Sequence, residues 1–172
     1  MKRFILFRHA KSDWSHDHLD DHDRPLARRG LRDAPRMGER LAARGVKPDL
    51  LLTSSARRAA ETARLIEPAV RHPKLVMRVE RAIYLASPRE LLDLIAEQSD
   101  AVNEILLVGH NPGLTELANQ LLPSLALNNL PTAGVVAVHS VDDQWADFEF
   151  AELKLLFFDY PKNSPDRVRI RN

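Results

Sequence analysis

Short apolar runs separated by helical patterns organise this chain. Phe4-Ile5-Leu6-Phe7, Leu50-Leu51-Leu52 and Ile105-Leu106-Leu107-Val108 are continuous rather than alternating, as expected of strands covered on both faces. Leu75 to Val79 alternates weakly and is a further strand candidate. From Leu26 to Arg44, Leu26, Leu31, Ala34, Met37 and Leu41 recur at helical spacing and Gly45 supplies a stop, although Gly30 and Pro35 interrupt the pattern and Gly30 offers an alternative start. Ser54 or Ser55 is placed to cap a helix through Ile66, ahead of Pro68. Ser87-Pro88-Arg89-Glu90 joins a cap to a proline in the first helical turn, predicting a helix to about Gln98, and another runs from about Leu114 to Leu122. Val135 to Val141 and Phe148 to Phe157 read as antiparallel arms joined by Asp142 to Gln144. The alternation predicts an α/β fold, a three-layer sandwich with a central, largely parallel sheet flanked by helices. Residues 11–25, rich in Asp and His without apolar period, form a long loop of the functional kind, and residues 161–172 form an exposed tail.

Composition narrows the picture. A length of 172 residues fits one domain spanning the chain. The absence of cysteine excludes disulfides, thiolate metal sites and a cysteine nucleophile. With 25 Lys and Arg against 24 Asp and Glu, a net charge of +1 speaks against a dedicated nucleic-acid binder, so anions must be recognised locally. No apolar run approaches the roughly 20 residues of a membrane span, and Arg8-His9 interrupts the stretch behind Met1-Lys2-Arg3 before a signal-peptide core forms. No membrane association and a cytoplasmic location are the expectation.

Ligands of open α/β sheets bind beyond the carboxyl ends of the strands. Three such ends carry unusual chemistry here: Arg8-His9-Ala10-Lys11-Ser12, Ser54-Ser55-Ala56-Arg57-Arg58 and Gly109-His110-Asn111-Pro112. Singly, each is compatible with solvated surface. Together they bring two histidines and at least two arginines to one rim, and arginine suits a phosphate because its planar fork donates paired hydrogen bonds and never deprotonates.

Strand-R-H-A, the later Ser54-Ser55-Ala56-Arg57-Arg58-Ala59-Ala60-Glu61-Thr62 and the late Gly109-His110-Asn111-Pro112 resemble the histidine phosphatase superfamily, which also contains cofactor-dependent phosphoglycerate mutases. Arg8 to Trp14, Asp21-His22-Asp23-Arg24-Pro25-Leu26 and Arg29-Gly30 are most similar to its small phosphohistidine phosphatases of the SixA type. The resemblance implies a phosphoglycerate mutase-like fold and a phosphatase. His9 would be the nucleophile, Arg8 and Arg58 phosphate ligands, and His110 a donor to the phosphoryl oxygens. Arg58, rather than Arg57, matches the register.

Many members of that superfamily carry a carboxylate after the third strand to protonate an alkoxide. Leu85 stands there, and Glu80 is a substitute in poor register. General acid catalysis is worth roughly 10²–10⁴-fold, so its loss handicaps simple esters, whereas an imidazole protonated on its far nitrogen leaves neutral. A phosphohistidine protein, such as a phosphotransfer domain or phosphocarrier, is therefore the expected substrate. A small phosphate ester, or phosphoprotein binding without turnover, is the alternative. Another carboxylate entering from the loop would weaken this reasoning.

Around the site, Arg24 is placed to reach the phosphate or the incoming protein, and Ser12 and Asn111 to bind substrate. Asp13 could orient a site arginine, Trp14 pack the loop or touch substrate, and the amides opening the helix after Asn111-Pro112 receive an anion. The loop from His16 to Arg24 holds metal-ligating residue types, but such clusters are more often solvated or arginine-paired, so no metal and no cofactor are expected. His72 and His139 read as structural.

Overall fold

The computed structural model describes residues 1–163; most of the predicted tail lies outside the described residues. The apolar runs become the centre of one six-stranded sheet. Its strands are β1 (Lys2–Arg8), β2 (Leu50–Ser54), β3 (Val76–Glu80), β4 (Glu104–Gly109), β5 (Val135–Ser140) and β6 (Leu153–Asp159), in the order β3-β2-β4-β1-β5-β6. Strands β3, β2, β4 and β1 run parallel, and β5 pairs antiparallel with both β1 and β6. The fold is the α/β sandwich expected, with a mixed, mostly parallel sheet.

Alternate side chains of the central strands feed two cores. Phe4, Leu6, Leu52 and Leu107 face α3 (Pro88–Ala96) and α4 (Gly113–Leu121). Ile5, Phe7, Leu51 and Val108 face α1 (Arg28–Ala43) and α2 (Arg57–Val70). Continuous hydrophobicity was needed because neither face meets water. Edge strand β3 is mostly exposed, which explains its weak alternation.

Four local expectations are corrected. Helix α1 starts at Arg28 and runs through Gly30 and Pro35. A Cβ at Gly30 would lie 2.3 Å from the Lys11 carbonyl oxygen, so glycine is what lets the first turn of α1 press against the chain after β1. Helix α2 has no side-chain cap and continues past Pro68 to Val70. The predicted helix to Gln98 stops at Ala96, although its capping box forms between Ser87 and Glu90. The last two strands are not joined by a short turn. Trp145 and Phe148 are pulled from the connection into the core, both edge-on to the Phe4 ring, so β6 begins only at Leu153.

Among the described residues, no helix is long and apolar enough to cross a membrane.

Candidate active site

Strands β1, β2 and β4 end side by side, so the three marked segments converge. Arg8, His9, Ser12, Arg24, Arg58 and His110 line one cavity of about 490 Å³, with Asp21, Tyr84 and Leu85 on its far wall. His9 and His110 are 7% and 6% exposed, and their ring centroids are 5.1 Å apart.

The His9 tautomer follows from its partner. Nδ1 lies 2.7 Å from the Ala10 carbonyl oxygen, which can only accept, so Nδ1 carries the proton and Nε2 keeps its lone pair. Arg58 Nε, 3.4 Å from that Nε2, faces the same space. Burial above all, helped by His110, Arg58 and Arg8, lowers the His9 pKa to about 3 despite the opposing Ala10 contact. Burial and then Arg58 bring His110 to about 3 as well. Both rings are neutral at physiological pH.

Arg58 is anchored from behind. Nη1 donates to the Asp21 carbonyl oxygen at 2.6 Å and Nη2 to its carboxylate at 3.0 Å, leaving the Nε edge toward the histidines. Arg57, outside the pocket, pairs with Glu61 at 2.7 Å. Thr62, one turn after Arg58, accepts from the Ala10 amide at 3.0 Å and donates to the Arg58 carbonyl oxygen. Glu61 accepts from the Leu26 amide at 2.9 Å. The Glu and Thr of the recognised motif thus stitch α2 to the segment bearing His9 and to the loop.

The loop closes on itself as Ala27 N–H donates to Lys11 O and Asp13 N–H to Pro25 O. This brings Arg24 inside, 6% exposed, with Nη2 donating to Ser12 Oγ at 3.1 Å and its guanidinium stacked 3.3 Å over the Trp14 ring. Among the described residues, Arg24 Nη1 and Arg8 Nε are buried without a hydrogen-bond partner, and Arg24 Nε faces only the Asp21 carboxylate, at 3.4 Å and outside hydrogen-bond geometry. Unmet buried donors cost about 1–3 kcal/mol each, more when charged, and a tetrahedral oxyanion would satisfy them.

Several expectations change. A carboxylate does enter from the loop: Asp21 accepts from Arg58 and, at 2.6 Å, from the Tyr84 hydroxyl. Burial works against its ionisation, but Tyr84 and Arg58 together outweigh it and hold the carboxyl below its ordinary range. The same bond raises the Tyr84 pKa. Glu80 pairs with Arg78 instead of entering the cavity. Among the described residues Asp13 orients no arginine; it accepts from the Ser15 amide and pairs with His16. Asn111 lines the cavity, but its amide is spent on Asn129, Leu130 and Thr115, which fixes the turn after His110. The Leu114 and Thr115 amides at the start of α4 are taken by His110 O and Asn111 Oδ1, so they do not await an anion. Among the described residues, no three His, Asp or Glu side chains gather as a metal site. His72 Nε2 contacts the Pro48 carbonyl oxygen at 2.8 Å, a structural role.

Sequence reasoning missed Ser54, Asp21 and Tyr84 as site residues. Ser54 and Ser55 looked like helix caps, but Ser54 Oγ lies 2.7 Å from His110 Nε2, and Ser55 Oγ lies 2.9 Å from His22 Nε2. No local pattern distinguishes a capping serine from one whose partner is 56 residues away.

A family model described as "Histidine phosphatase superfamily (branch 1)" matches residues 4–82. An uncharacterized protein of Mycobacterium tuberculosis is 35% identical over 164 residues, 90% of this chain and 99% of its own. Another, from Mycobacterium leprae, is 33% identical over 166 residues with the same coverage. The chain belongs to the histidine phosphatase superfamily. Among solved structures, a protein of Agrobacterium tumefaciens provisionally assigned as the phosphohistidine phosphatase SixA superposes with a TM-score of 0.79 at 27% identity, covering 93% of this chain and 98% of that one. A protein histidine phosphatase SixA complexed with tungstate shares the histidine phosphatase fold with a TM-score of 0.73 at 20% identity, covering 92% and 97%.

Proposed function

We propose that this protein is a phosphohistidine phosphatase that removes the phosphoryl group from a phosphohistidine protein through a covalent intermediate on His9. The observation that carries this reading is the His9 ring, whose Nδ1–H donates to Ala10 O while unprotonated Nε2 accepts from Arg58 Nε at 3.4 Å in an arginine-lined cavity. Nε2 attacks phosphorus in line as the substrate's phosphorus–nitrogen bond breaks, and the leaving imidazole departs neutral with its proton on the far nitrogen. Arg8, Arg24 and Arg58 hold the equatorial oxygens. Water then attacks phosphorus, its proton passing to the phosphate released. His9 leaves as a neutral ring because Ala10 O keeps the Nδ1 proton in place.

Neither transfer calls for a general acid. This suits a pocket in which Leu85 stands where an acid is sought and Asp21, the one carboxylate that the described residues place on the wall, is held ionised by Tyr84 and Arg58. The likeness to SixA proteins supports the same substrate class.

The test is parallel hydrolysis of a phosphohistidine protein, a phosphoserine peptide and a sugar phosphate. Fast release from the first alone is expected, insensitive to EDTA and abolished in His9→Ala. Preference for the sugar phosphate would move the assignment to a small-molecule phosphomonoesterase, and undiminished activity of His9→Ala would defeat it.

A further inference from the structure

The flank of the pocket formed by α1 is charged far beyond what the balanced composition requires. Arg28, Arg32 and Arg36 recur every four residues on the exposed face of α1, and Arg29 beside them reaches Thr132 Oγ1, a cavity-lining atom, at 3.4 Å. Lys11 lines the cavity, and its backbone is in contact with the first turn of α1. Against these five cations the described residues set one carboxylate within ion-pair distance, that of buried Asp33, shared between Arg29 at 3.9 Å and Arg32 at 3.2 Å. The next acidic side chain along the helix is Glu39, beyond the stripe. Two apolar side chains are exposed here: Leu31, 50%, on the same helix, and Trp14, 68%, lining the cavity and stacked against Arg24.

We infer that this flank is the docking surface for the phosphoprotein, and that the partner presents carboxylates on one side of its phosphohistidine. The inference rests on the function proposed above and adds the partner's charge and orientation. An exposed tryptophan stacked on an arginine has the composition of a protein-binding hot spot. The loop that lines the cavity also carries exposed Asp17, Asp20 and Asp23, which repel an extended polyanion such as nucleic acid but not a folded partner with localised charge. Docking acidic residues against α1 therefore fixes which way the partner's phosphohistidine enters the cavity.

The test compares two substrates. One is an acidic histidine-containing phosphotransfer domain phosphorylated with phosphoramidate; the other is N-phosphoimidazole, which has the reacting atoms and no surface. The double variant Arg28→Glu/Arg36→Glu touches nothing in the cavity. Its kcat/KM for the phosphodomain should fall by about tenfold or more and lose most of its dependence on ionic strength, while its kcat/KM for N-phosphoimidazole stays within about twofold of the parent. Should the variant fold poorly, Arg28→Gln/Arg36→Gln and the parent's own salt dependence give the same readout. Unchanged turnover of the phosphodomain by the variant overturns the docking surface, as does a loss confined to binding of duplex DNA or anionic vesicles. If the parent hydrolyses neither substrate, the proposed function fails instead, so the two failures are distinguishable.

Discussion

Replacing Ser54 with alanine isolates the role of a hydroxyl with no direct part in phosphoryl transfer. Ser54 is fully buried, and its Oγ meets His110 Nε2 at 2.7 Å while accepting from the Ala56 amide at 3.2 Å. The His110 Nδ1 faces Arg58 Nη2 at 3.4 Å, and because arginine only donates, this arrangement puts the His110 proton on Nε2. A phosphoryl oxygen only accepts and needs a proton on Nδ1 instead. A hydroxyl serves both states, since it can accept from Nε2–H or donate to bare Nε2. Alanine serves neither and leaves a buried ring nitrogen unmet, at a cost of about 1–3 kcal/mol. At roughly 2–4 °C per kcal/mol for a chain of this size, the melting temperature should fall by several degrees. Losing a fixed donor to the transition state costs up to about 10²–10³ in kcat. With the ring retained but its proton no longer directed, the expectation for Ser54→Ala is about 10- to 100-fold in kcat, roughly 1.4–2.7 kcal/mol, with little change in KM. Steady-state kinetics on a phosphohistidine protein, with Ser54→Thr as the rescuing variant, give the measurement. If Ser54→Ala loses stability but keeps kcat within about twofold, while His110→Ala is crippled, the hydroxyl is merely structural and the reasoning fails.

Further outcomes follow from the same geometry. Both histidines resist protonation down to about pH 3 in the fold but titrate near 6.5 when unfolded, so the unfolded chain binds more protons between those limits. Stability should therefore fall as pH drops from 6.5, by up to about 1.4 kcal/mol per pH unit for each ring, and urea titrations of His9→Gln or His110→Gln should show a flatter dependence. Arg24→Lys removes the unpartnered Nη1 and the stack on Trp14, and should weaken competitive inhibition by tungstate roughly 10- to 100-fold. Unaltered inhibition would place Arg24 outside the oxyanion site. Gly30→Ala drives a methyl to 2.3 Å from Lys11 O and should cost about 1–3 kcal/mol by thermal melting, with a fall in kcat as the loop shifts.

Much of this was legible in the chain because it depends on local pattern. Unbroken apolar runs of three or four residues imply strands covered on both faces, and chemistry placed directly after such strands must collect at one sheet edge; this is how Arg8, His9, Arg58 and His110 could be grouped before any coordinates. Loop partners were not legible in the same way. The signal in residues 16–24 was a composition shared by metal sites, solvated loops and arginine clamps. Only the closing of the loop showed Asp21 bracing Arg58 and Tyr84, and Arg24 turned inward over Trp14.

Sequence by itself determined the layers, the strand ends and which histidines and arginines gather at them, since periodicity and residue chemistry are properties of neighbours along the chain. Tertiary structure decided their protonation and aim: that Ala10 O holds the proton on His9, that Ser54 serves His110 rather than a helix, and that the carboxylate in the cavity is ionised. Those facts depend on burial, on the backbone path that turns Ala10 O onto the His9 ring, and on side chains brought together from distant segments, none of which exists before the chain has folded.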